Sequence, residues 1–533
     1  MIMPRLTIDN REVQVPDGAT ILAAAAELGI VIPAMCFLRE FKPSTSCMVC
    51  VVKVEGVNGY VPACGVVAKD GMKVQSETDE VRQARTTALE LLLSDHLGDC
   101  MGPCHTICPA QMNIPLMIRQ IAQGSLRDAI VTVKNDIALP AVLGRICPAP
   151  CENGCRRASV DQPVSICMLK RYVADVDLKS STPFMPTCKS PQNKKVAVIG
   201  AGPAGLSAAY YLVQRGYKCT IFDDHEKPGG MLMYGVPDDE LSKDVLVAEI
   251  ELITKLGVQF HFKTRIGTAL TLQELRKDFD AVFVAAGQLK PGDAENLGLK
   301  AGSKGIEIDT QTYQTSLPGV FAGGDAVRSR KLAIRSLADG KGAAEAVDQY
   351  LSSQPVTGPI RPFNTHIGRI EKEEIENFMV SVNKLPRLEP SKDRTGFTDE
   401  QACIEARRCM HCDCRKPGNC RLRQYSQLYQ AKPARYKAQR RMFVQYLDHP
   451  EVIYEPGKCI DCGLCIEVAS KFGEELGLTF IGRGFDVKVG VPFNRSMEEG
   501  LRIAAKQAVK ACPTGALALK PGSQINPCKN VTI

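Results

Sequence analysis

The chain has 533 residues, which at the usual domain size predicts about three to four domains, each long enough to bury its own core. With 44% hydrophobic, 23% charged and 6% aromatic residues the composition is that of a globular protein and excludes a disordered or fibrous one. The formal charge of +7 raises nucleic acid as a partner, but the chain has no Trp and no nucleic-acid-binding motif, so none is expected.

The most apolar stretch, Thr20 to Phe37, is broken by Glu27, Gly29 and Pro33, so no membrane span is expected. The start, MIMPRLTID, lacks a basic segment followed by an apolar run, which predicts no secretory signal and a cytoplasmic location. Against that background 23 cysteines are anomalous, because cytoplasmic thiols are kept reduced and do not build disulfide frameworks. Metal ligation is the default reading. Each thiolate-ligated cluster carries about −2, so five of them would turn +7 into a slightly acidic whole.

Residues 5 to 15 alternate apolar and polar about an Asp-Asn-Arg turn, predicting a hairpin, and a helix is predicted from Thr20 to Leu28 with Gly29 closing it. Strand pair plus helix suggests a β-grasp fold over residues 1–85. Four cysteines follow as Cys36-x10-Cys47-x2-Cys50-x13-Cys64. Four thiolates in this arrangement can hold a [2Fe–2S] rhombus, two sulfurs per iron, with structural zinc as the plain alternative. The spacing resembles the amino-terminal domain of the cluster-bearing large subunit of complex I and of related hydrogenases and formate dehydrogenases.

Over residues 86–190 a helical domain is expected. It holds His96-x3-Cys100-x3-Cys104-x3-Cys108-Pro109 and, further on, GRICPAPCENGC with Cys147, Cys151 and Cys155. These runs resemble the two-cluster domain shared by the glutamate synthase small subunit, dihydropyrimidine dehydrogenase and the large subunit of bifurcating transhydrogenases. The resemblance implies one [4Fe–4S] cluster on Cys100, Cys104 and Cys155 and a second on Cys108, Cys147 and Cys151, each short of a fourth ligand. His96, three intervening residues before Cys100, is similar to the cluster-ligating histidine of the complex I large subunit; otherwise it is a surface histidine on a helix. For the second cluster the family places Gln or Glu where this chain has Lys170, a poor ligand. Cys167, one helical turn earlier on the same face, is the expected substitute.

Residues 191–352 read as a Rossmann-like FAD domain. The strand KVAVIGAGPAG runs into Gly200, Gly202 and Gly205 and then a helix, with Ala204 inside the motif. This context brings backbone N–H groups and a helix N-terminus to a pyrophosphate, and Asp223 ends the next strand, where it can hold a ribose hydroxyl. Resemblance to the glutamate synthase small subunit adds Gly230, Gly235, Val236, Ala286, Gly287, Gly324, Asp325 and Ala333 as flavin contacts, the last three on LPGVFAGGDAV and the helix after it. In that family a nicotinamide domain is inserted after the strand that here ends at Gly287. Only 35 residues separate Gly287 from Gly323, with no second glycine fingerprint, so the NAD(P)H domain is expected to be missing.

A linker, 353–395, is expected from SSQPVTGPIRP and KLPRLEPSKD. In segment 396–445, Cys409, Cys412, Cys414 and Cys420 fit a [4Fe–4S] cluster or zinc. The basic run Lys432 to Arg441 reads first as a solvated face and second as a docking surface for an acidic redox partner. Residues 446–533 read as a ferredoxin-like domain, with Cys459, Cys462, Cys465 and the remote Cys512-Pro513 closing one [4Fe–4S] cluster. Cys188, Cys219, Cys403 and Cys528 are left as structural thiols.

The fold class expected is multidomain α/β and α+β. The function expected is that of an oxidoreductase subunit from an anaerobe that relays electrons among FAD, one [2Fe–2S] and about four [4Fe–4S] clusters, with the catalytic end site on another chain. Hydrogenase-like, formate dehydrogenase-like or NADH-oxidising flavoprotein-like subunits, or ferredoxin, are the partners the resemblance implies. The alternative is a self-sufficient NAD(P)H-dependent reductase subunit.

Overall fold

The alternating segments at the start pair as expected, Arg5–Ile8 with Arg11–Gln14, closed by Asp9 and Asn10 in the left-handed region that a tight hairpin turn requires. The computed structural model describes residues 3–389, 395–416, 418–437 and 439–520. It divides into two units. Unit 1 comprises the residues up to Gly102, Pro362–Ser381 and the residues from His411; unit 2 comprises Pro103–Arg361 and Val382–Met410.

In unit 1 the hairpin joins a five-stranded mixed sheet in the order Arg11–Gln14, Arg5–Ile8, Lys73–Gln75, Val51–Val54, Val61–Pro62. Helix Ile21–Glu27, capped by the Thr20 hydroxyl, buries Ile21, Ala24 and Ala25 against Leu6, Ile8, Val52 and Val74. Helix Asp79–Ser94 follows, and a later core gathers Val452, Tyr454, Val468, Ala508 and Leu517 around the antiparallel pair Val452–Tyr454 and Leu517–Leu519.

The segment expected as linker carries structure in both units. In unit 1 it forms helix Lys372–Met379, whose Phe378 stacks on Phe443 at 4.2 Å and whose buried Glu374 takes both Arg440 amino groups. In unit 2 Arg387 pairs with Glu152 at 2.9 Å. Proline content signalled a break in helix, not a break in packing. The basic run is likewise not a free solvated face: Arg435 pairs with buried Glu90, Arg440 with Glu374 and Arg441 with Asp95.

Unit 2 opens with the short helices Pro103–Ile107, Ile114–Ala122, Leu126–Lys134, Pro140–Ile146 and Pro150–Asn153, then Ile166–Lys179. These pack onto a five-stranded parallel sheet in the order Val320–Ala322, Ala281–Val284, Lys195–Ile199, Lys218–Phe222, Gln259–His261. Strands of continuous Val, Ile and Phe are what a parallel sheet covered on both faces demands. Between Gly287 and Gly323 lie a one-turn helix, Asp293–Asn296, and a two-residue strand pair.

Candidate functional site: clustered thiols and a glycine loop

In unit 1 the four cysteines of the β-grasp region converge. Cys36 and Cys47 stand Sγ to Sγ at 3.3 Å. Hydrogen bonds from Cys47 and Cys64 pull the Cys36 thiol far down, and Cys64 stabilises Cys50 as a thiolate near 7. Cys47 and Cys64 are pushed up correspondingly. Four thiols linked by such hydrogen bonds suit a bound iron pair.

Cys459, Cys462, Cys465 and Cys512 line a single cavity with Tyr454, Val489 and Thr514. Cys459 directly follows the 3₁₀ turn Pro456–Lys458, Cys462 lies in the loop after it and Cys465 in helix Leu464–Lys471, which Gly463 at φ +73 precedes. Cys512 ends helix Ala505–Ala511. Burial raises all of Cys459, Cys462 and Cys465, which a cationic cluster core would offset. These sites adjoin: Cys36, Cys47, Cys420 and Cys462 belong to one buried cluster with Met35, Leu89 and Leu464.

In unit 2 a second cavity is lined by Cys108, Cys147, Cys151 and Cys167, with Lys170, Met112, Ile137 and Ile334. Cys147 sits at the end of helix Pro140–Ile146, Cys151 in the one-turn helix after it, and Cys167 near the start of Ile166–Lys179. A hydrogen bond from Cys167 lowers the Cys147 thiol to about 6. Lys170 is buried; burial depresses its ammonium, but the charges of Cys167, Cys147, Cys151 and Cys108 outweigh that and the net shift is upward. Lys170, dismissed as a ligand on its charge, supplies a fixed cation beside four sulfurs.

Of the remaining expected ligands, Cys104, Cys155 and Cys409 lie in unit 2, all packed against its main core. His96, Cys100, Cys412, Cys414 and Cys420 lie in unit 1. His96 follows the end of helix Asp79–Ser94, and its Nδ1 is buried with no hydrogen-bond partner among the described residues. Outside these groups Cys219 is buried, Cys188 exposed and Cys403 disulfide-bonded, where a free thiol was expected; Cys528 lies outside the described residues.

The glycine loop of unit 2 has the geometry its sequence requires. Gly200, at φ +105, turns against Ala285, whose carbonyl oxygen lies 2.4 Å from where a Cβ would stand. Gly205 packs a helix onto the loop, its absent Cβ falling 1.9 Å from the Gly200 oxygen. Gly202 by contrast faces open space, the place where a phosphate must come close to the backbone. Ala204 is the second residue of the helix Pro203–Gln214, and Gly230, at φ +53, sits against the Gly202 Cα. Asp223 accepts the Ala201 N–H at 2.6 Å with Oδ2, tying the strand end to the loop. Gly235 and Val236 close the following turn, where the Val236 carbonyl accepts from Lys243 at 2.6 Å. Ala286 and Gly287 extend from the strand beside the loop, Gly324 lies against Ala204, and Asp325 precedes helix Ala333–Leu351.

The family model described as "2Fe-2S iron-sulfur cluster binding domain" matches residues 3–79, and that described as "dihydropyrimidine dehydrogenase domain II, 4Fe-4S cluster" matches 78–182. Residues 3–182 thus match two iron–sulfur cluster domains. A third model, for an NAD(P)-binding Rossmann-like domain, matches 198–249, the strand, glycine loop and helix just described. The chain is 40% identical over 241 residues to the NADP(+)-dependent formate dehydrogenase subunit beta of Moorella thermoacetica, covering 41% of this chain and 32% of that one. It is 37% identical over 269 residues to the NADPH-Fe(3+) oxidoreductase subunit beta of Geobacter sulfurreducens, covering 48% and 39%. It is 38% identical over 220 residues to the NAD-dependent dihydropyrimidine dehydrogenase subunit PreT of Escherichia coli, covering 40% and 53%. The chain thus spans about a third to a half of the length of these relatives. All three are named as subunits of oxidoreductases. No helix among the described residues is long and apolar enough to cross a membrane.

Proposed function

We propose that this chain is the electron-relay subunit of a multisubunit cytoplasmic oxidoreductase, binding FAD at the Gly200–Gly205 loop and carrying one [2Fe–2S] and about four [4Fe–4S] clusters. The observation that carries the reading is the adjacency of two sites in unit 2. Ile334, the second residue of helix Ala333–Leu351, lines the cavity of Cys108, Cys147, Cys151 and Cys167, while Ala333 before it is the residue expected at the flavin ring. Lys341 on the same helix donates to Asp136 and to the Ala110 carbonyl, pinning the dinucleotide fold to the thiol-bearing helices. FAD, when bound, exchanges electron pairs on one side and single electrons on the other, the interconversion a cluster chain needs. The protein's part is to hold that ring beside the first sulfur cage and to exclude water from it with Met112, Ile137 and Ile334.

The nicotinamide-oxidising or substrate-reducing site is assigned to a partner subunit, of formate dehydrogenase, hydrogenase or NADH-oxidising flavoprotein type. The match to an NAD(P)-binding domain favours a second reading, in which the glycine loop serves a nicotinamide directly and the chain is a self-sufficient reductase. Anaerobic mixing of the iron-loaded chain with NADH and NADPH separates them. We expect tightly bound flavin, about 18 iron atoms per chain, or about 14 if the Cys409 to Cys420 site takes zinc, and bleaching only when a partner is added. Rapid stoichiometric bleaching of the isolated chain would overturn the relay reading, and negligible iron with full zinc would end both.

A further inference from the structure

The spacing of the sequence groups Cys414 and Cys420 with Cys409 and Cys412, and the family resemblance groups Cys100 with Cys104 and Cys155. The structure joins them differently. Asp99 and Asp413 form an isolated parallel bridge, so Cys100 and Cys414 occupy matching positions one residue beyond it. Cys100, Cys414 and Cys420 are all buried in unit 1. The backbone of Gly515 comes so near Cys414 that its absent Cβ would fall 2.4 Å from Sγ, a close approach only glycine allows.

His96 reaches the same place. The Leu97 N–H donates to the Gly457 carbonyl at 2.7 Å, and the missing Cβ of Gly98 would fall 2.5 Å from Lys458 Cε. The segment from His96 to Cys100 is therefore pressed along residues 457 and 458. Buried Lys458 pairs with Glu455 and lies within electrostatic reach of both His96 and Cys414. Thr365 fixes the segment further, donating to the Gly98 carbonyl at 2.7 Å and standing 3.4 Å from Cys100 Sγ. A buried imidazole nitrogen without a partner is costly unless something outside the protein takes it up, and imidazole is a common metal ligand.

We propose that His96, Cys100, Cys414 and Cys420 form one metal site in unit 1 that binds a [4Fe–4S] cluster, an assignment that rests on the iron–sulfur reading above. Cys414 and Cys420 both lie within electrostatic reach of Cys100. The site adjoins its neighbours: Cys420 shares a buried cluster with Cys36 and Cys462. Cys104, Cys155 and Cys409 then belong to a separate site in unit 2. There the Arg157 guanidinium donates to the carbonyl of Arg408, one residue before Cys409, and Arg408 is close enough to Cys155 to offset a little of the upward push that burial gives its thiol.

The test uses the full chain, iron-loaded under anaerobic conditions, with iron counts and low-temperature EPR. Cys100→Ala, Cys414→Ala and Cys420→Ala should each remove the same signal and about four irons. Cys104→Ala and Cys409→Ala should remove a different signal and leave that one intact. Loss of one common signal in Cys100→Ala and Cys104→Ala, with Cys414→Ala sparing it, would overturn the grouping. A chain without iron before any substitution would instead defeat the iron–sulfur reading itself. Where a variant fails to fold, the unaltered chain labelled with ¹⁵N-histidine decides: a directly bonded nitrogen coupling on one cluster signal supports His96, and its absence from every signal overturns that ligand.

Discussion

Replacing Lys170 by Met should lower the potential of the cluster site of unit 2 while leaving its iron in place. Lys170 is buried, lines the same cavity as Cys108, Cys147, Cys151 and Cys167, and lies three residues after Cys167 on helix Ile166–Lys179. Helical neighbours at this spacing have Cβ atoms about 5 to 6 Å apart, and about 7 Å is adopted as the separation between the ammonium and the centre of a group held by the four sulfurs. At an effective dielectric of about 20, Coulomb's law gives about 2.4 kcal/mol between the cation and one added electron. With about 1.4 kcal/mol and 59 mV per tenfold for one electron, the loss corresponds to about 100 mV. Methionine keeps the stem's volume without the charge, so packing should change little. The assay is an EPR-monitored redox titration of the full chain with its iron counted first. The difference should persist at high ionic strength, because the pair is shielded from mobile ions. A shift below about 30 mV, or one toward higher potential, would refute the claim that this cation tunes the site.

Cys167→Ala should convert or empty that site, since three thiols leave one iron corner open to exchange; an unchanged iron count and EPR spectrum would remove Cys167 from the ligand set. Gly202 and Gly205 should behave oppositely. Gly202→Val should fold with its clusters intact yet lose dinucleotide, whereas Gly205→Val should destabilise the unit itself because its side chain meets the Gly200 oxygen, as flavin content and thermal midpoints would show. Glu249 accepts the N–H groups of Ala141 and Val142 at 2.9 and 2.8 Å at the start of the helix that ends beside Cys147, and burial raises its carboxyl to about 7. A raised acid value means the folded chain binds the proton more tightly, so this contribution is full below about 4.5 and is lost as pH rises through about 7. Glu249→Gln should flatten that pH dependence of the melting temperature and cost about 1 to 3 kcal/mol by leaving one buried N–H unpaired.

What the sequence made legible was local. The hairpin at Arg5–Gln14, the helix at Ile21–Glu27 and the strand, glycine loop and helix at 195–214 follow from periodicity and turn chemistry within a dozen or so residues. Cys167 could be named as a partner for Cys147 because a helical turn relates it to the position of Lys170, and the structure brings both into one cavity. Thiol spacing carries less information where, on the grouping proposed above, the chain divides its ligands. Cys409, Cys412, Cys414 and Cys420 sit within a dozen residues, and spacing alone treats proximity along the chain as proximity in space. The bridge between Asp99 and Asp413 joins residues more than 300 apart, and no periodicity announces such a pairing. Glycine could have: Gly98, Gly457 and Gly515 each stand where a Cβ would strike a neighbour. A glycine beside a cysteine motif that is not needed for a positive φ is a sign of another segment pressed close, and on the grouping proposed above it marks where a distant segment arrives to complete a ligand set.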